Sequence, residues 1–277
     1  MAKIVILGTI QDGGIPHLNC ICKNCLDIQN TKTKKYVSCI GILGKTNSLI
    51  IDATPDLPKQ INLMNRHLER ENLELNGLLL THLHIGHYTG LIYFGRESAS
   101  TKLFPIYATK ENLSFLKSNK PFSYLFERQE LEERVIKQEE EFKFDDSLSI
   151  IPFYVPHRNE DGNTVGLEIR NKITNKKVIY LTDTDYLTNE IIQRITMADI
   201  VILDGTFYKQ TEIMRQKLVP HPPILETMKL LGNQHKEKFY FTHINHSNPV
   251  LDKSCEEFIE VQKRGYNICE EDMIIEF

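Results

Sequence analysis

Three of the chain's ten histidines lie within six residues, in Leu78-Leu79-Leu80-Thr81-His82-Leu83-His84-Ile85-Gly86-His87. An apolar run leads straight into them. In extended backbone, positions i and i+2 share a face, so His82 and His84 can point at one ion. The chain then turns, and His87 arrives from the next element. Imidazole suits borderline ions such as Zn²⁺, and also Fe and Mn. Such crowding at the end of a strand outweighs the plainer reading as scattered core or surface histidines. His157 follows Tyr154-Val155-Pro156, His243 follows Phe239-Tyr240-Phe241-Thr242, and Asp183 follows Tyr180-Leu181-Thr182. Taken singly, a histidine at a strand end is more often structural than a ligand. Taken together, these strand ends describe one rim on which ligands converge.

Cysteine carries a second signal. Cys20-Ile21-Cys22-Lys23-Asn24-Cys25 packs three thiols into six residues, spacing that reads as a metal site in a reducing compartment. The alternative is a set of reduced loop thiols. Cys39, Cys255 and Cys269 are scattered in apolar settings and read as small core residues.

Short apolar runs rich in Val, Ile, Phe and Tyr must carry these groups. Strands are expected at 3–7, 37–43, 48–51, 77–80, 104–108, 148–155, 164–169, 177–181, 199–203 and 238–241. Leu57, Ile61, Met64 and Leu68 form a helical stripe. Thr188 is placed to cap a helix bearing Ile191, Ile192 and Ile195. Pro222 and Pro223 open another that ends near Gly232. Asp252 is a candidate cap for a helix with Cys255, Phe258 and Ile259 inward and Gly265 as its stop. This alternation predicts an α/β (α+β) arrangement of two sheets between helices. The charged stretch Glu127–Phe144 reads as a solvated helix or insert, with a lid or dimer arm as the sharper alternative.

With 277 residues, the chain has room for one α/β domain or two small ones. Its 41% hydrophobic and 25% charged residues are those of an ordinary globular protein. A net charge of −4 provides no basic footprint, which disfavours binding of long nucleic acids by bulk charge. The N-terminal apolar stretch is too short for a signal peptide, and no run approaches the roughly 20 residues that span a bilayer. The expectation is a cytoplasmic protein with no membrane partner; a homodimer stays open.

HxHxxH after a strand, then a lone His, a lone Asp and a final His, resembles the metallo-β-lactamase superfamily. That resemblance implies a four-layer αββα sandwich over residues 1–277, with a di-metal site at the sheet edge. Carried over residue by residue, His82, His84 and His157 look like ligands of the first metal. Asp183 resembles the bridging carboxylate, and His87 and His243 resemble second-metal ligands. The superfamily's usual motif is HxHxDH, and here Gly86 stands in place of its Asp. Glycine offers no side-chain ligand, so the second ion is either weakened or held by another carboxylate. Asp56, in Asp52-Ala53-Thr54-Pro55-Asp56, is the candidate replacement; its rival role is to start the helix bearing Leu57. Asp52 matches a residue that usually has a structural, hydrogen-bonding role in the family.

The segment Gly8-Thr9-Ile10-Gln11-Asp12-Gly13-Gly14, running on to the cysteines, is similar to two branches of that superfamily. They are the cyclic phosphodiesterase of phosphonate breakdown and the pyrroloquinoline quinone biosynthesis protein B family. In the first, the cysteine loop (here about 16–26) holds a structural zinc, and His246 matches its fourth ligand. Asp204-Gly205-Thr206-Phe207-Tyr208 and Asn248-Pro249 look closer to the second. His221, in Val219-Pro220-His221-Pro222-Pro223, matches a histidine that in the phosphodiesterase, and in tRNA 3′-end processing endonucleases, is thought to protonate a leaving oxygen.

These resemblances imply a metal-dependent phosphodiesterase acting on a small or cyclic phosphodiester. One or two active-site ions, Zn or Mn with Fe also open, would lower the pKa of a coordinated water to roughly 7. Asp183 and His221 are the expected catalytic residues. The rival reading is an iron-dependent oxidative step of cofactor biosynthesis.

Overall fold

The apolar runs become strands buried on both faces. In a computed structural model, which describes residues 2–31, 35–210, 219–232 and 235–277, they form two seven-stranded mixed sheets. The first holds β1 (Lys3–Gly8), β2 (Cys39–Leu43), β3 (Ser48–Ile51), β4 (Leu75–Leu79), β5 (Phe104–Thr109) and β6 (Leu131–Ile136) in that order. The second holds β7 (Phe142–Lys143), β8 (Leu148–Tyr154), β9 (Val165–Asn171), β10 (Lys177–Leu181), β11 (Ile200–Asp204), β12 (Phe239–Thr242) and β13 (Asn267–Ile268), also in order. β14 (Ile274–Glu276) pairs antiparallel with β1 and closes the first sheet on that side.

Successive side chains on a strand point to opposite faces, and both faces here are covered. From β1 and β2, Ile4, Ile6, Ile40 and Ile42 pack between the sheets against Ile150, Leu167, Ile169 and Tyr180. The intervening Val5 and Leu7 face outward into a layer with Leu57, Met64 and Leu68. On the far side, Ile179, Leu181, Val201, Leu203 and Phe241 pack against Ile191, Ile195, Met228 and Val261. Burying each such side chain contributes roughly 1.5–3 kcal/mol relative to leaving it exposed. The first sheet is flanked by α2 (Leu57–Glu71), the short α3 (Ile85–Tyr88), α4 (Lys110–Ser118) and α5 (Ser123–Glu127), while α1 (Lys23–Thr31) packs Cys25 and Ile28 into a small separate cluster with Ile10, Ile15 and Leu251. The second is flanked by α6 (Asn189–Thr196), α7 (Ile224–Leu231) and α8 (Glu256–Lys263). The order of layers is helix, sheet, sheet, helix, as expected.

Thr188 caps α6 by accepting the Ile191 N–H at 3.2 Å. α7 starts after the two prolines and stops at Gly232, whose φ of +71° suits glycine. Asp252 does not cap α8. Cys255 does, its sulfur accepting the Phe258 N–H at 3.2 Å, while Asp252 binds Lys23 and Ser254. Val261 rather than Ile259 faces the core. The charged stretch 127–144 is neither a helix nor a detached arm. It supplies β6 and β7, the edge strands of the two sheets. Its charges coat those edges and pair outward, as in Lys117–Glu133 at 2.9 Å and Lys172–Glu141 at 2.9 Å. Charge on an edge strand discourages pairing with another chain. Among the described residues no helix is long and apolar enough to cross a membrane.

Strand direction sets where the chain ends up. β3, β4 and β5 run parallel, and so do β10, β11 and β12. Two antiparallel steps make β1 parallel to β3 and β8 parallel to β10. The C-terminal ends of these strands therefore come out along the same edges of the two sheets.

Candidate metal centre

Residues just beyond those strand ends meet at the rim. β4 leads into Leu80-Thr81-His82, and α3 then delivers His87 from its last turn. β8 leads to His157, β10 to Asp183 and β12 to His243, while Asp204 is the last residue of β11. Asp12 enters from the turn after β1. Ligand atoms of His82, His84, His157 and Asp183 all lie within 4.8 Å of one another. So do those of Asp12, His87, Asp183 and His243. Asp183 belongs to both sets, the position of a bridging carboxylate.

The spacing suits metal ions. Two ligands held at about 2.0–2.1 Å from one ion, at 90–109°, lie roughly 2.8–3.4 Å apart. The observed pairs include His84 Nδ1 to His157 Nε2 at 3.1 Å and His87 Nε2 to Asp183 Oδ2 at 3.4 Å. His82 Nε2 and His157 Nε2 each stand 3.7 Å from Asp183 Oδ1. His82 Nε2 and Asp183 Oδ2 are buried without a hydrogen-bond partner, while His84 turns Nδ1 to the centre and Nε2 toward Glu160 at 3.5 Å. Leaving such groups unmet costs about 1–3 kcal/mol each, and divalent ions in the two clusters would satisfy them.

A second ring of groups aims the ligands. His87 Nδ1 meets Asp52 Oδ2 at 2.8 Å, and His157 Nδ1 meets Asp185 Oδ1 at 2.8 Å. Thr206 Oγ1 lies 2.9 Å from His243 Nδ1. Each contact leaves Nε2 facing the centre, the usual way a ligating imidazole is oriented. Asp52 also accepts the Thr81 N–H at 2.7 Å, tying β3 to the histidine segment. Asp52 and His243 hold left-handed backbone, with φ of +71° and +59°. Non-glycine residues in that region cost energy and cluster at functional sites.

Charge points the same way. Burial holds the His82 imidazole well below its ordinary pKa, which keeps it in the neutral, ligating form. Burial also opposes protonation of His87, but Asp183, Asp52 and Asp12 outweigh it and push that pKa well up. Burial disfavours the Asp183 carboxylate, yet His243 and His82 more than offset it and hold its pKa well down. Carboxylates packed this tightly create a field that favours a cation.

His221 stands beside the centre, its ring centroid 5.5 Å from that of His157 and 5.4 Å from that of His243. Its Nδ1 lies 2.5 Å from Asp204 Oδ2, and the other Asp204 oxygen accepts the Thr206 N–H at 2.9 Å. Asp204, His221 and His243 also sit within 4.8 Å of one another. Both Asp204 oxygens are hydrogen-bonded and His243 Nε2 faces the other cluster, so the Asp204–His221 pair is a dyad rather than a third ion site. His221 opens onto a cavity of about 400 Å³ with Asp185, Tyr186, Leu187 and Glu226 on its walls.

The second predicted site is also assembled. Cys20, Cys22 and Cys25 sulfurs lie 3.5, 3.6 and 3.6 Å from His246 Nδ1. A tetrahedral zinc with Zn–S near 2.3 Å and Zn–N near 2.0–2.1 Å needs such edges to be about 3.6 Å. These residues fit a structural zinc.

One expected ligand is absent from the rim. The Asp56 carboxylate accepts the Val37 N–H at 3.2 Å and binds Lys59 at 3.0 Å. It occupies the N-cap position of α2 without a side-chain capping bond, and it joins none of the ligand clusters. Asp56 is therefore not the replacement carboxylate. A further carboxylate at the rim is Asp12, which sequence reasoning passed over. Its signal was a carboxylate in the glycine-rich turn that follows an apolar strand.

Residues 47–244 match the family model described as the Beta-lactamase superfamily domain. The coenzyme PQQ synthesis protein B of Rhodopseudomonas palustris (strain BisB5) is 27% identical, with 97% of each chain covered. The crystal structure of Zn²⁺-bound PqqB from Methylobacterium extorquens superposes with a TM-score of 0.82 at 23% identity, covering 99% of this chain and 100% of that one. A diphosphatase from the PhnP family superposes with a TM-score of 0.72 at 22% identity, covering 100% and 97%. By the span of the model match and the αββα fold with its rim of histidines and aspartates, the chain belongs to the metallo-β-lactamase superfamily.

Proposed function

We propose that the protein is a metal-dependent hydrolase that cleaves a small phosphodiester. The observation that carries this reading is the Asp204–His221 dyad, set against a double cluster of metal-ligating side chains and open to a small cavity. When bound, divalent ions there would supply an activated water and neutralise charge developing on phosphorus. His221 lines the cavity, and with Nδ1 engaged by Asp204 its Nε2 is the nitrogen left to donate a proton. That places it to protonate a leaving alkoxide. Arg158, next to His157, favours an anionic substrate: its Nε is buried without a hydrogen-bond partner, and its charge adds to burial in keeping His84 neutral. The cavity's size suits a small molecule.

The test uses bis(p-nitrophenyl) phosphate with protein loaded with Zn²⁺ or Mn²⁺. The wild type should turn it over. His221→Ala should lose about 10²–10⁴-fold in kcat, the usual worth of a general acid, while keeping its metal content. Metal-loaded protein inert toward every phosphodiester tried would overturn the reading. A second reading draws on the end-to-end likeness to coenzyme PQQ synthesis protein B: an iron-dependent oxidative step in cofactor synthesis. Oxygen uptake by iron-loaded protein, without diester turnover, is the outcome that selects it.

A further inference from the structure

A side chain at position 86 would have nowhere to go. A Cβ built on Gly86 would lie 2.6 Å from the Asp12 Cα, 2.7 Å from its Cγ and 2.8 Å from its Cβ. The obstacle includes backbone, so it cannot swing aside as a flexible side-chain tip would. Gly86 is buried in α3, one residue before His87. The volume that a side chain at 86 would fill is thus filled by an aspartate arriving from another part of the chain.

That aspartate presents its carboxylate to the same partners. Asp12 Oδ1 lies 3.1 Å from His87 Nε2 and 3.2 Å from His243 Nε2. Asp183 faces the same two nitrogens at 3.4 and 3.5 Å. The Nδ1 atoms of both imidazoles are engaged elsewhere, by Asp52 and Thr206, so the two Nε2 atoms and the two carboxylates enclose one point. The turn holding Asp12 is anchored to the segment that carries His243. Gln11 N–H donates to Ile244 O at 3.0 Å, and Ile244 N–H donates to Thr9 O at 2.7 Å. Asn245 and Gln11 side chains join them, and the Gly14 N–H closes the turn on Gln11 O at 2.8 Å. A residue that merely paired with a charged histidine would need no such fixed backbone, nor a glycine opposite it.

We infer that Asp12 is the carboxylate ligand of the second metal ion and that Gly86 is glycine because Asp12 occupies its side-chain space. The second site is then Asp12, His87, Asp183 and His243, with four protein ligands instead of three. The carboxylate has moved from the histidine segment to the turn after β1 without changing its place around the ion. This rests on the two-ion reading of the centre and is independent of which ester, if any, is cleaved.

The experiment counts metal in the full-length protein. Wild type and variants are equilibrated with Mn²⁺ or Zn²⁺, desalted and measured by mass spectrometry, and affinity is read by titration calorimetry. Asp12→Asn should drop one ion per chain, or weaken its binding by at least about 10–100-fold, the loss typical even of perturbing an outer partner of a metal ligand. Gly86→Ala should do the same by displacing Asp12, and the double exchange D12G/G86D should restore the ion. Circular dichroism shows which variants are folded. If Asp12→Asn fails to fold, Gly86→Ala and the double exchange decide the assignment. Full metal content and unchanged affinity in folded Asp12→Asn or Gly86→Ala would overturn it. A wild type that holds both rim ions yet turns over no diester would speak against the hydrolase reading alone.

Discussion

Asp56 and Asp12 are both carboxylates just past a strand, and only their surroundings tell them apart. Asp56 is spent on the Val37 N–H and Lys59, so Asp56→Asn should leave the metal count unchanged. It should cost about 1 kcal/mol or less in stability, the range for a partly exposed hydrogen-bonded carboxylate. A lost ion in Asp56→Asn would refute its exclusion from the rim. In the proposed reaction Asp204 would act through His221. Burial pulls the His221 pKa down, and the Asp204 carboxylate more than reverses this, so the ring keeps its proton above the ordinary histidine range. A general acid works only while protonated, so activity should fall on the alkaline side. Asp204→Asn should move that fall to lower pH as well as reduce kcat. An alkaline limb that stays in place in this variant would show that His221 is not the acid.

Elements buried on both faces were legible, because a fully covered strand must be apolar along its length. All ten expected strands are present, with ends moved by one or two residues. β6 was not legible. Its sequence Leu-Glu-Glu-Arg-Val-Ile reads as a charged run because it lies on an edge with its middle exposed. β7, β13 and β14 are two or three residues long and carry no periodicity. The histidine cluster was legible because its ligands are close in sequence and at strand ends. Asp12 was not, since 75 residues separate it from His87 and only the packing of the turn against α3 brings them together. The cysteine loop belongs to this scale too. His246 lies three residues past His243, and the loop follows the turn that holds Asp12, so a zinc ion there would clamp both segments. Cys22→Ser should therefore lose about one zinc per chain and lower Tm. Because metal binding energy in such a site is folding energy, unchanged zinc content with unchanged Tm would contradict a structural role.

Across the whole molecule, two sheets with parallel segments deliver the ends of β1, β3, β4, β8, β10, β11 and β12 to a shared rim, and the inter-sheet core holds those ends in register. The candidate metal ligands are concentrated where the strands stop, which leaves the layers free to be ordinary apolar packing. Removing an ion should thus disturb the rim more than the core. Chelation is expected to abolish turnover while leaving the far-ultraviolet circular dichroism nearly unchanged, provided the cysteine-bound zinc stays in place. A wholesale loss of secondary structure on removal of the rim ions alone would argue that the centre is structural. The positions of bound ions are the most direct test of all. An anomalous difference map from crystals of the metal-loaded protein should show three peaks. One lies among Cys20, Cys22, Cys25 and His246, one among His82, His84, His157 and Asp183, and one among Asp12, His87, Asp183 and His243. Fully loaded crystals with no peak at the rim would contradict a metal centre there.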